Sequence, residues 1–401
     1  MRGSSRSRGA RTMSADRRNR PVLASPQMAL DRQLAELPPD VQARLAHHRF
    51  DPERFKQLAG RLGSESAEDN FVKGKISPPN PEDLQQLPAP GSAEYARLSE
   101  LGAEALRAGQ VALLVLAGGM ATRMGGVIKA LVDAIPGKSF LDLRRAEMRA
   151  LERRYGAPPP LWLMTSHSTE SGIRAALGDD LDGYSIATFN QHLSLRVTPT
   201  GQVFFDKKGQ PSEHAPGHGD LPDALRESGL LEAFVQRGGK VIMMTNIDNM
   251  GGTLDPAIIG FHLAHVKAVT AEVVDKLPTD RGGIPAYVDG TLCILEEFRI
   301  PPSFDPKVVR VFATNVFYFD AKAMLELDMN WTYFTVNKKV DDQPVVQFER
   351  LVNEVTSHLP TSYLHLPRNG TSSRFLPVKD NDELALREPE ILAVAKARGI
   401  V

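Results

Sequence analysis

The chain has 401 residues, 42% of them apolar, and its 48 basic residues balance 49 acidic ones for a formal net charge of -1. That is enough apolar material for one large domain or two smaller ones, and the balance excludes a chain that binds polyanions along its whole surface. The single cysteine, Cys293, excludes an internal disulfide and a cysteine-rich metal site. No apolar run reaches the ~20 residues that span a bilayer, and no apolar segment follows the basic N-terminus as in a secretory signal. A cytoplasmic protein with neither nucleic acid nor membrane among its partners is expected.

Residues 1–25 are rich in Arg, Ser and Gly and cannot bury enough surface to offset chain entropy, so a disordered tail is expected. Residues 26–107 read as a helical region and linker. Three helical stretches run between 27 and 62, with Pro39 and Pro52 placed for first helical turns. His47 and His48 read as ordinary helix-surface residues rather than ligands. Residues 77–92 are a Pro-rich irregular crossing, and a helix over 92–107 follows.

From 108 to 385 strands alternate with helices. VALLVLA (111–117), LWLMTS (161–166), KVIMMTN (240–246) and AEVVDK (271–276) are continuous apolar runs, as in strands buried on both faces. Helices are expected over 139–154, over ESGIRAAL, and as one unit over LPDALRESGLLEAFVQRG, ended by Gly238 and Gly239. LSLRVTPTGQVFF and AYVDGTLCILEEF read as hairpins turning at Thr200–Gly201 and Asp289–Gly290. VRVFATNVFYFD reads as a strand, VVQFERLVNEVTSHL as a helix, and 386–401 as a short C-terminal helix. The alternation predicts an α/β fold with a mainly parallel sheet and helices on both faces. Ligands then lie beyond the carboxyl ends of the strands, with the hairpins as a lobe beside them.

The chemistry concentrates in loops after strands. LAGGMATRMGG (116–126) follows a buried strand, and its glycines let backbone N–H groups approach phosphate oxygens. Arg123 and Lys129 just downstream can neutralise a triphosphate. The spacing fits neither a dinucleotide fingerprint nor a P-loop. In APGHGD (215–220), Gly217 allows close approach and His218 can donate to a phosphate or hydroxyl, unless the segment is only a helix entry capped by Asp220. In TNIDN (245–249), Asp248 can hold Mg²⁺ against phosphates or cap the next turn. FNQH (189–192), Glu296, Thr314–Asn315 and RFLPVK (374–379) are weaker polar candidates.

Together these segments resemble the UDP-glucose pyrophosphorylase family, the UTP–glucose-1-phosphate uridylyltransferases of eukaryotic type. LAGGMATRMG, FNQH, PGHGD, NIDNMGGTLD, EVVDK, LEEFRIP, FATN, the QFE segment and RFLPVK follow in family order over about 113–384. The resemblance implies a Rossmann-like mixed-sheet nucleotidyltransferase core of the glycosyltransferase-A type, carrying an N-terminal helical region. It implies that Gly118, Gly119 and Asn246 line the nucleotide site and that Gln191 and Gly217 recognise uridine. His218, Glu296 and Asn315 would contact the sugar phosphate. Lys129 would bind UTP phosphates, Arg123 and Lys379 would add charge, and Asp248 would hold Mg²⁺. The expected reaction joins UTP and glucose 1-phosphate. The alternatives are another sugar 1-phosphate, such as that of N-acetylglucosamine, or a UDP-sugar-binding protein without catalysis.

Three departures from the family stand out. Ala121 occupies a place usually held by Gly. The family's phosphate-binding Lys, about ten residues beyond Gln-x-Glu, has no counterpart in 348–366, which leaves Lys379 or Lys338 to substitute. The chain stops at Val401 without the family's C-terminal β-helix, from which a monomer is expected.

Overall fold

Successive residues of a strand point to opposite faces, and the central strands are apolar at every position because both faces are covered. The computed structural model describes residues 26–62 and 67–401; the tail expected at 1–25 lies outside the described residues. Its centre is an eight-stranded sheet. In chain order the strands are β1 (Leu84–Gln85), β2 (Val111–Leu116), β3 (Leu161–Thr165), β4 (Ile186–Asn190), β5 (Val241–Asn246), β6 (Val269–Asp275), β7 (Val311–Asp320) and β8 (Thr361–His365). They lie in the order β1-β8-β6-β7-β5-β2-β3-β4, and β7 alone runs antiparallel to its neighbours.

Helices α1 (Pro26–Ala35), α2 (Pro39–His47) and α3 (Pro52–Ala59) precede the sheet. They are followed by α4 (Ala93–Arg107), α5 (Phe140–Tyr155) and α6 (Glu170–Leu177), then by α7 (Leu221–Glu227), α8 (Leu230–Gln236) and α9 (Pro256–His265), and finally by α10 (Ala321–Leu325) and α11 (Asn381–Ala397). Val111, Leu113 and Val115 enter one core with α4, α5, α6, α9 and α11, whereas Ala112 and Leu114 enter another with α7, α8 and α10. Val241 and Met243 against Ile242 and Met244 divide the same way. A third core joins α1–α3 to Leu193, Leu195, Val197, Val203, Val346 and Phe348, so the N-terminal helices brace the hairpin lobe. Among the described residues no helix is long and apolar enough to cross a bilayer.

Four expectations need correction. The single helix expected after residue 220 is two, because Gly229 takes φ 78 between α7 and α8. The helix expected over VVQFERLVNEVTSHL is a strand, Gln343–Glu349, followed by a 3₁₀ turn, Val352–Ser357. That strand pairs with Phe334–Val340 across a turn in which Asp341 and Asp342 have φ 52 and 65. The Pro-rich crossing contributes Leu84–Gln85 to the sheet edge, paired with Tyr363–Leu364. Finally, His48 is buried, 8% exposed, although His47 is exposed as expected.

Candidate active site

β3 and β4 lie on one side of β2, and β5 lies on the other, so the chain reverses its direction across the sheet at β2. Loops leaving β2 and β5 therefore diverge, and the crevice between them is where such sheets bind ligands. Leu116 and Asn246 end these strands in register, and the Ile247 N–H continues the ladder to the Leu116 carbonyl at 3.2 Å. The Gly-rich loop begins directly beyond. It folds back as a small hairpin, Met120–Ala121 against Val127–Ile128, around a 3₁₀ turn at 122–124. Ala121 fits because its φ is -77, a conformation that needs no glycine.

Gly118, Gln191 and Gly217 meet on the β3–β4 side. The Gln191 N–H bonds to the Thr165 carbonyl at 2.9 Å, extending β4 and turning the side chain inward. Its Nε2 donates to the Gly217 carbonyl at 2.8 Å. A Cβ on Gly118 would sit 2.5 Å from Gln191 Oε1, so only glycine lets the amide lie against this loop. Gly217 is required twice over: its φ is 98, and a Cβ there would stand 2.7 Å from the Arg350 carbonyl oxygen.

Lys129 and Asp248 meet on the β5 side. Lys129 Nζ lies 2.8 Å from Asp248 Oδ2 and donates to the Val378 carbonyl at 2.8 Å. The Val378 N–H donates to the same Asp248 oxygen at 3.2 Å. Among the described residues no hydrogen bond engages Asp248 Oδ1. One carboxylate oxygen is therefore left for a cation, which suits Mg²⁺, an ion that takes one or two protein carboxylates and completes its shell with water and phosphate. The loop carrying Asp248 is held by Arg144, fully buried on α5. Its guanidinium donates to the Gly252 and Asn249 carbonyls at 2.7 Å each and pairs with Glu147 at 2.9 Å. Glu147 in turn accepts from the Leu254 N–H at 2.9 Å.

The sugar-phosphate candidates line the side toward the hairpins. Between the Ala271/Phe317 and Val273/Ala313 pairs, β7 carries two more residues than β6, and this bulge puts Asn315 at φ 59. Asn tolerates that region better than most residues, and strained backbone of this kind clusters at functional sites. Asn315 Nδ2 donates to Asn246 Oδ1 at 3.1 Å, and its buried Oδ1 has no protein partner. His218 Nδ1 accepts from the Val352 N–H at 3.0 Å, and burial pushes the imidazole down to about 4. The ring is therefore neutral at pH 7 with its proton on Nε2, which makes that atom a donor. Glu296 takes a hydrogen bond from Asn353 Nδ2. Burial pushes the Glu296 carboxyl up, opposed by that bond and by Arg299. Asn353 Oδ1 is a second buried acceptor with no protein partner.

Thus the structure gathers Gly118, Gly119, Gln191, Gly217, Lys129, Asp248, Asn246, Asn315, His218 and Glu296 through short links around the switch point. The Lys129 N–H to Gly119 carbonyl contact at 3.3 Å is one of these links. Arg123 is exposed on the 3₁₀ turn, and Lys379 is exposed one residue beyond Val378. Lys338 is exposed in the 334–340 strand, opposite Val345. Asp220 is not a helix cap; it is fully buried, pairs with Arg350 at 2.6 Å and accepts from the His192 N–H at 3.0 Å. The motifs missed Arg144, Arg350 and Asn353. Arg144 had a signal, since with Glu147 it interrupts the apolar face of α5 formed by Phe140, Met148, Leu151 and Tyr155.

A family model described as UTP–glucose-1-phosphate uridylyltransferase matches residues 52–398. The UTP–glucose-1-phosphate uridylyltransferase of Encephalitozoon cuniculi is 30% identical over 338 residues, covering 80% of this chain and 65% of that protein. The Saccharomyces cerevisiae protein of the same name is 28% identical over 350 residues, covering 82% and 68%. The chain thus spans about two thirds of the length of the curated relatives it matches. Among solved structures, uridine diphosphate N-acetylglucosamine pyrophosphorylase from Trypanosoma brucei superposes with a TM-score of 0.72 at 19% identity, over 92% of this chain and 82% of that one. A point mutant of UDP-glucose pyrophosphorylase from Leishmania major, in complex with UDP-glucose, gives a TM-score of 0.67 at 22% identity, over 90% and 78%. Those two likenesses speak for the fold, a nucleotidyltransferase-like mixed sheet. The match of the family model over most of the described residues places the chain in the UTP–glucose-1-phosphate uridylyltransferase family.

Proposed function

We propose that this protein forms UDP-glucose and pyrophosphate from UTP and glucose 1-phosphate. An oxygen of the sugar phosphate attacks the α-phosphorus of UTP in line, the bond from that phosphorus to the bridging oxygen breaks, and pyrophosphate leaves with the electron pair. The nucleophile is already anionic, so the site needs no general base; it needs positioning and charge. One observation carries the reading. Gly118, Gln191 and Gly217 form a close-approach cradle on one side of the switch point, and Lys129 with Asp248 forms a charged pair on the other.

In this reading the Gln191 amide pairs with the pyrimidine edge, and Gly118 and Gly119 bring backbone against the nucleotide. Lys129, with exposed Arg123 six residues before it and exposed Lys379 next to Val378, whose carbonyl Lys129 holds, neutralises the phosphates. The unpartnered Asn315 and Asn353 oxygens accept from sugar hydroxyls, and His218 Nε2 donates to the sugar phosphate. Asp248 would hold Mg²⁺, which when bound offsets phosphate charge as a Lewis acid.

The reaction is tested by pyrophosphate release with UTP, Mg²⁺ and a panel of sugar 1-phosphates, other nucleoside triphosphates serving as controls. Release is expected with UTP and to be fastest with glucose 1-phosphate. Nucleotide binding without release from any sugar phosphate would make the protein a UDP-sugar binder instead. Gly118→Ala is expected to push Gln191 off its bond to Gly217 and to weaken UTP binding about tenfold, the scale of one hydrogen bond. Unchanged UTP affinity in that variant would remove Gln191 from the base site.

A further inference from the structure

The end of α2 meets the first turn of α6. One ring nitrogen of His47, one of His48 and a carboxylate oxygen of Glu170 lie within 4.8 Å of one another. Among the described residues, the Glu170 carboxylate makes no ion pair, whereas Glu213 takes contacts from two basic side chains. Arg44 lies 2.9 Å from Glu213, and His167 lies 3.2 Å from the same carboxylate. His48 is 8% exposed, and its buried Nδ1 has no protein partner. Leaving a buried ring nitrogen unpaired is costly, and in native folds such an atom calls for an explanation.

We propose that His47, His48 and Glu170 form a binding site for a divalent transition-metal cation of the zinc class, which fastens α2 to the turn after β3. Two imidazoles and one carboxylate are ligands that borderline cations favour over Mg²⁺ or Ca²⁺. Three protein ligands leave a fourth, tetrahedral position for water. Around such an ion neighbouring ligand atoms stand ~3.4 Å apart, as bond lengths of ~2.1 Å require. The site closes to that spacing by small rotations of exposed His47 and half-buried Glu170, while His48 stays fixed by packing. The clamp would bear on the candidate active site through two existing bonds. Ser166, which opens the turn carrying Glu170, donates its hydroxyl to the Gly118 carbonyl at 2.8 Å. The His48 carbonyl accepts from the Leu193 N–H at 3.0 Å, two residues beyond Gln191.

The test is calorimetric titration of the full chain, free of any affinity tag and stripped by chelator, with zinc chloride. One Zn²⁺ per chain is expected, undisplaced by excess Mg²⁺, together with a rise in Tm. His47→Ala and Glu170→Gln, both outside the buried core, are expected each to weaken binding by at least ~10-fold, the least that even outer-shell changes cost at such sites. The Tm of both metal-free variants should match the parent. Absence of saturable binding, or equal affinity in the parent and both variants, would overturn the site. Neither outcome depends on pyrophosphate release, so this site and the proposed reaction stand or fall separately.

Discussion

Replacing Lys129 with Ala is expected to lower the rate of UDP-glucose formation by ~10²-fold or more, the scale of one preorganised charge contact, or ~2.7 kcal/mol of transition-state stabilisation. The ammonium is held between Asp248 and the Val378 carbonyl, 2.8 Å from each, so its position is set before any substrate arrives. It also follows the Gly-rich hairpin closely enough for its backbone N–H to reach Gly119. A purely structural role makes a different prediction. Removing Lys129 leaves Asp248, 7% exposed, with a single hydrogen bond from Val378, at a stability loss on the order of 1–3 kcal/mol. Pairing Lys129→Met with Asp248→Asn removes both charges and should restore most of that loss. If turnover returned with stability, the pair would only hold the loop together; if turnover stayed low while stability returned, the charge of Lys129, of Asp248 or of both acts in the reaction. Near-normal turnover in Lys129→Ala alone would remove it from the catalytic set.

What the sequence reveals and what it hides follow one physical division. Strands β2 and β5 were legible because burial on both faces leaves no polar position to confuse the reading. The candidate-site glycines after them stand out because close approach demands glycine, and glycine beside a buried strand is conspicuous. The strand 343–349 was misread because its partner, 334–340, is mostly polar and the two aspartates between them are a weaker hairpin signal than Asn-Gly. Val345, Phe348, Val352 and Val355 also recur at spacings of three and four, which passes for a helical face. His48 was misread although α2 buries Val41 and Leu45, because position 48 lies just beyond the helix end and continues that face. Asn353 carried no local signal, and Asn315 was marked only by the FATN segment, with nothing to show its unusual backbone. Their buried, unpartnered oxygens arise from a strand bulge and a 3₁₀ turn that tertiary packing imposes.

Arg350→Ala is expected to lower the free energy of unfolding by ~3–5 kcal/mol, the largest stability effect of any single change considered, as when one partner of a buried pair is removed. The guanidinium lies 2.6 Å from both Asp220 and Asp223, and Asp220 has no exposed surface at all. Burial works against the charge on Arg350, but Asp220, Tyr333 and Asp223 outweigh it, so the group is held more firmly protonated than usual. Deleting it strands a buried carboxylate that also anchors the His192 N–H, next to Gln191. The backbone beside it stays tied, since the Arg350 N–H and carbonyl bond Pro216 and Gly219. The damage should therefore be one of charge rather than of chain path. Arg350→Met combined with Asp220→Asn tests this, because replacing a buried ion pair by groups of similar volume is often nearly neutral. Denaturant unfolding should show most of the lost stability restored in the double variant. A double variant as unstable as Arg350→Ala would mean that the contacts of the guanidinium with the Trp331 and Tyr333 rings, at 5.2 and 5.7 Å, hold this corner of the site instead.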